Sequence, residues 1–170
     1  MSFEIGNYVV YCSGEICKID NVVKRCFDGV NEHNYFKLIP VSSKNSSYYI
    51  PCDNTEKKVR PLLTKTEILE LIDNIPHTGV AVWCDDKNER KHIYNNVLKS
   101  NDHLKLIKMM HTIYNHREQE ISKGKKLPAS DERAMNEAEH LLNQEIAFVL
   151  GMNEEEVHSF IENRLKDVKN

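Results

Sequence analysis

The 170-residue sequence predicts an α+β chain: a small bent β-sheet or partly open barrel, then an all-α part of about five helices. Three observations predict this. Apolar residues alternate with period two in short runs before about residue 62 and recur at helical spacing after Pro61. Proline and glycine punctuate the first part at strand ends and the second part at helix ends. The chain is long enough for one or two small domains, and the change of period sets a boundary at 62/63.

In the first part, Tyr8-Val9-Val10-Tyr11 and Glu15 to Asp20 read as strands, and Asp28-Gly29 as a tight turn between Val22–Phe27 and Asn34–Val41. Asn34 to Pro40, Ser47 to Pro51 and Lys58 to Arg60 complete five short strands. In the second part, Thr64 or Thr66 caps a helix carrying Ile68, Leu69, Leu71 and Ile72, ended by Pro76 and Gly79. The link Val80-Ala81-Val82-Trp83 leads to Asp85-Asp86, acids suited to a helix N-terminus. That helix is expected to run to about Lys99 and to bury Ile93, Val97 and Tyr94. Ser100-Asn101-Asp102 starts the next, with Leu104, Ile107, Met110 and Tyr114 on one face, widened by Leu106, Met109 and Ile113. Ser122 to Pro128 is a basic loop. Ser130 is expected to cap a long helix holding Ala134, Ala138, Leu141, Leu142, Ile146 and Val149, with Gly151 at C′. Asn153 with Glu156 forms a capping box for a last helix containing Val157, Phe160, Ile161 and Leu165.

Composition narrows the function classes. No apolar run approaches the length of a membrane span, and the N-terminus lacks the pattern of a secretory signal. Five cysteines, an odd number without a CxxC pair, argue against a disulfide framework or a cysteine-based zinc site and for a reducing cytoplasm. There is no Gly-rich phosphate loop, no HExxH and no GxSxG, and no histidine pair at i,i+4 among His103, His111 and His116, so the chain is read as a non-enzyme without metal or cofactor. The net charge of −3 hides a pattern: residues 87–126 carry 10 basic and 4 acidic side chains, while residues 127–170 carry 4 and 10. The basic stretch reads either as a solvated helix pair or as a polyanion-binding face. Arg90, Lys91 and Arg117 with the loop Lys123, Lys125 and Lys126 are the candidate phosphate contacts. Trp83, the single tryptophan, is either a core aromatic at the junction or a wedge against a nucleic-acid base step.

The ordered motifs resemble the CarD/CdnL family of bacterial transcription regulators. Phe3-Glu4-Ile5-Gly6-Asn7-Tyr8-Val9-Val10-Tyr11 is similar to the family's opening F-x-x-G-D-x-V-V-Y-P, and Gly14-Glu15-Ile16 to its Gly-rich turn and strand. Tyr35-Phe36-Lys37-Leu38, Ile50-Pro51 and Val59-Arg60 continue it. Leu98-Lys99-Ser100-Asn101-Asp102 resembles L-x-S-G-D, and Asp131 to Ala147 the family's E-R-x-M-x-x-A-x-x-L-x-x-E-L-A helix. The resemblance implies that residues 1–62 form a Tudor-like domain that docks on the RNA polymerase β subunit. Lys24, Arg25 and the edge Tyr48, Tyr49, Ile50 and Pro51 are the candidate contacts. It implies that residues 63–170 form a helical domain touching promoter DNA, weakly and without sequence preference, upstream of the melted region. The regulator would then act as a monomer on open-complex stability, in the cytoplasm and at the nucleoid. The family's wedge tryptophan lies two or three residues ahead of an Arg. Here Trp83 is seven ahead of Arg90, and alignment from Ser100-Asn101-Asp102 brings Lys87 nearer that position. The alternative is an adaptor that uses the β domain for protein contacts without touching DNA.

Overall fold

The structure, a computed structural model, describes residues 3–12, 14–27 and 29–168. The chain divides into two compact units, residues 1–62 and 63–170.

The first unit is an antiparallel sheet of β1 (Tyr8–Tyr11), β2 (Ile16–Arg25), β3 (His33–Pro40), β4 (Tyr48–Pro51) and β5 (Val59–Pro61). The spatial order is β4-β3-β2-β1-β5, so the meander is open and β4 and β5 are its edges. The sheet is not closed into a barrel. Period-two alternation puts Val9, Cys17, Ile19, Leu38, Ile50 and Val59 into one core. A register shift between Ile19 and Asn21 marks a bulge, beyond which β2 runs on as an exposed ribbon with β3. The expected Asp28-Gly29 turn includes Asp28, which lies outside the described residues; Gly29 has φ +75°, which its missing Cβ permits. Glu15 ties the other end together, accepting from Ser42 Oγ at 2.6 Å and Tyr48 Oη at 2.8 Å. The Tyr48 ring stacks on Tyr11 at 4.8 Å.

The second unit contains α1 (Lys65–Asn74), α2 (Lys87–Lys99), α3 (His103–Ser122), α4 (Ala129–Leu150) and α5 (Glu154–Val168). Thr64, not Thr66, is the cap of α1, in a capping box with Glu67. Asp86 caps α2 by accepting from Asn88 N and Glu89 N. Asn101 stands where the L-x-S-G-D pattern has glycine and takes φ +52°, a left-handed conformation that asparagine tolerates, and Asp102 then caps α3. Ser130 is not a cap: α4 already starts at Ala129, with Pro128 ahead of it and no side-chain cap. The buried stripe of α2 is Arg90, Tyr94 and Leu98, at i, i+4 and i+8, and Ile93 is left exposed. On α3, Leu104 and Tyr114 also face outward, because α4 meets the face carrying Leu106, Ile107, Met109 and Ile113. A second cluster joins Ile68 and Ile72 of α1 to Ile146, Ala147 and Val157 of α4 and α5. Arg164 grips Asp73 across α5 and α1 with two bonds of 2.7 Å.

No disulfide joins the cysteines; Cys17 is buried in the sheet core, Cys12 and Cys26 are exposed, and Cys52 and Cys84 are half-buried. No helix among the described residues is long and apolar enough to cross a membrane.

Candidate nucleic-acid interface

Residues 78–86 form no helix or strand, yet their path over the second unit is fixed bond by bond. The Thr78 carbonyl lies 2.8 Å from His111 Nδ1, so this ring nitrogen carries a proton and donates it. Ala81 N–H donates to Thr112 Oγ1 at 2.8 Å. Further along, Arg90 Nη1 donates to the carbonyls of Cys84 at 2.8 Å and Asp85 at 3.2 Å. Both histidine and threonine come from one region of α3, so the segment is strapped along that helix on its way to α2.

Trp83 sits within this strap, half-buried. Its ring stacks on His116 of α3 with centroids 3.5 Å apart and planes 11° from parallel. The Arg90 guanidinium carbon lies 4.5 Å from the Trp83 centroid. An imidazole stacked that closely fills one indole face, so the guanidinium must cover the other. The indole is held between a ring and a cation, and its exposed part is an edge. Trp83 is neither sealed in a core nor free on the surface. Stacking and cation–π attraction each contribute about 0.5–1.5 kcal/mol to such an arrangement.

Arg90 corrects an expectation. Its side chain is 6% exposed, and Nη2 meets Asp131 Oδ2 at 2.8 Å, with Nε at 3.2 Å from both carboxylate oxygens. Asp131, at the start of α4, is 2% exposed. Burial works against the Arg90 charge, but the Asp131 carboxylate outweighs it and leaves the guanidinium above its ordinary pKa. Arg90 therefore does not face phosphates. It positions Trp83, ties the strap to α4, and spends four of its five N–H donors inside the fold. The physical reason is that a lone cation on the buried stripe of α2 needs a partner, and α4 brings one. Burial and then Asp131 push the Tyr94 hydroxyl, on the same stripe, to about 12.

The other basic candidates are exposed: Lys87 and Lys91 on α2, Arg117 on α3, and Lys123, Lys125 and Lys126 in the α3–α4 connection. Lys123 pairs with Glu120 at 3.1 Å. The Glu120 carboxyl is held below its usual value by that bond, and further by the charges of Lys125 and His116. The structure thus gathers Trp83, His116, Arg117, Lys123 and Lys125 around one end of α3. His116 and Asp131 were missed from the sequence. His116 gave a signal in lying in the histidine-rich basic stretch; Asp131 gave none, because its partner is 41 residues away.

On the first unit, the polymerase candidates separate by sheet face. Tyr48 and Ile50 turn inward, Ile50 being 1% exposed, and their backbone N–H and C=O groups face β3, so neither offers a partner its side chain or its backbone at the open edge. Tyr49 and Arg25 turn outward, with the guanidinium carbon 5.8 Å from the ring. Lys24 is exposed on the face opposite Arg25. Phe27, overlooked in the sequence although it is apolar beside a turn, is 62% exposed and packs edge-on to Tyr35 at 4.9 Å and against Tyr49 at 5.9 Å. Cys52 N–H bonds to Asn34 O, so by antiparallel alternation the Tyr49 N–H points away from β3 while Pro51 has none to offer. The open edge of β4 therefore has a donor at Tyr49.

Residues 83–162 match the family model described as CarD, C-terminal domain. The match opens on Trp83 itself and runs through α2, α3 and α4 into α5. Residues 83–162 form a CarD C-terminal domain. CarD-family proteins are regulators of transcription associated with RNA polymerase, not enzymes. No curated protein matches the chain.

Proposed function

We propose that this protein binds the β subunit of RNA polymerase through residues 1–62 and contacts promoter DNA, at the upstream edge of the melted region, through residues 63–170. In this reading it alters the stability of the open complex. The observation that carries it is Trp83, clamped between His116 and Arg90 with an edge exposed beside a basic helix end. A wedge must hold its shape against a base step that costs a few kcal/mol to unstack, and a clamped ring meets that need. Lys87, Lys91, Arg117, Lys123, Lys125 and Lys126 supply phosphate contacts, which position without reading sequence. On the first unit, Arg25, Phe27 and Tyr49 present an amphipathic face beside the β4 edge, and the Tyr49 N–H is available for strand addition. Tudor-like describes this sheet only as an open meander.

The test is the lifetime of open promoter complexes formed by RNA polymerase with the full-length protein. Trp83→Ala should shorten the lifetime while polymerase retention on an affinity column stays intact. Retention with no dependence of the lifetime on Trp83 or the lysines would leave only the adaptor role.

A further inference from the structure

The second unit encloses a cavity of about 160 Å³ where α1, α3, α4 and α5 meet. Leu71, Ile75, Met110, Leu142, Ile146 and Ile161 give it apolar walls. An apolar cavity of roughly 150 Å³ stays dry and accepts benzene. This one differs in having polar groups at its wall that the fold leaves unused. Glu139 and Asn143, one helical turn apart on α4, are both half-buried, and neither carboxylate nor amide has a hydrogen bond or ion pair among the described residues. His111 also lines the space; its Nδ1 is spent on Thr78, and its Nε2 has no partner among the described residues. His158 completes the wall and is occupied by Glu162 at 3.2 Å. The unused polar atoms are open to water, so they remain available to a ligand. An apolar hollow beside a few converging, unused polar groups is the usual form of a small-molecule site.

We propose that this cavity binds a small amine with a one-ring apolar body. The ring fills the space between Leu71, Ile146 and Ile161, and the ammonium group meets the Glu139 carboxylate, with Asn143 as a second acceptor. An anion is disfavoured by the Glu139 carboxylate. Through His111 the ligand touches the residue that fixes the start of the strap carrying Trp83, so occupancy is expected to reach the tryptophan.

The probe is benzylamine, titrated into the full chain at neutral pH and followed by ligand-observed NMR, with benzyl alcohol and benzoate beside it. Benzylamine should bind saturably and more tightly than benzyl alcohol, and benzoate should not bind. Glu139→Gln should weaken benzylamine about tenfold, the scale of a lost charge-assisted hydrogen bond, and leave benzyl alcohol unchanged. Ile161→Phe, which fills the space, should abolish binding of both while melting no lower than the parent; if that variant fails to fold, the Glu139→Gln comparison decides alone. Absence of saturable benzylamine binding, or equal affinity of parent and Glu139→Gln, overturns the site. Emission of the single tryptophan should change with the same midpoint as binding. Constant emission at saturation overturns the link to the strap.

Discussion

Replacing Asp131 with alanine leaves the Arg90 guanidinium inside the second unit without its counter-charge. Three N–H···O contacts of 2.8 to 3.2 Å disappear, and the cation that loses them is 6% exposed. Removing one partner of a buried pair costs about 3–5 kcal/mol, because the remaining charge stays desolvated. At about 4 °C per kcal/mol, suited to a unit of this size, melting of the helical unit should fall by about 12–20 °C. Circular dichroism at 222 nm follows the helices, and emission of the lone tryptophan follows the clamp. Emission should shift to the red as the guanidinium leaves one indole face. The paired change Arg90→Met with Asp131→Leu should recover most of the melting temperature, since buried ion pairs are often replaceable by apolar residues of similar volume. It should not recover the emission, because the carbonyls of Cys84 and Asp85 still lack their donor. A fall of less than about 4 °C in Asp131→Ala, equivalent to about 1 kcal/mol, would refute the buried-pair argument. Full recovery of emission in the paired variant would refute the positioning role.

Trp83→Ala removes a stack and a cation–π contact but little core, so the helical unit should lose about 1–3 kcal/mol and remain folded at 25 °C, checked by thermal melting. Neutralising Lys125 and Lys126 together should reduce the slope of log K against log salt on duplex DNA by about 1.8, if both meet phosphates. Tyr49→Pro removes an N–H outside the β-ladder, so melting of the first unit should hold while retention on RNA polymerase falls; unchanged retention would exclude strand addition at β4. Burial, followed by the charge of Glu15, raises the Cys17 thiol from 9.0 to about 12, so a disulfide reagent at pH 8 should label Cys12 and Cys26 and spare Cys17. Its neutral form then contributes to stability in full below pH 9 and loses that contribution as pH rises toward 12, which alkaline unfolding of the first unit measures.

Much of this protein is determined locally and can be read from the sequence alone. Strand alternation from Tyr8 to Arg60, the capping residues Thr64, Asp86 and Asp102, and Gly151 as the left-handed stop of α4 all act within a few residues of themselves. Such signals survive in one dimension because alternation is a property of the strand itself and the capping hydrogen bonds span two to four positions. The concentration of basic side chains in residues 87–126 is likewise a property of composition. Tertiary structure decided the rest. Which face of α2 is buried depended on α4 supplying Asp131, and this turned Arg90 from a surface cation into the support of Trp83. Whether Trp83 was core or surface depended on His116, 33 residues along the chain, lying parallel to it. The division of β4 into inward Tyr48 and Ile50 and outward Tyr49 followed from the register with β3. In each case the deciding partner is distant in sequence, and a residue's own type does not specify which distant group arrives to satisfy it.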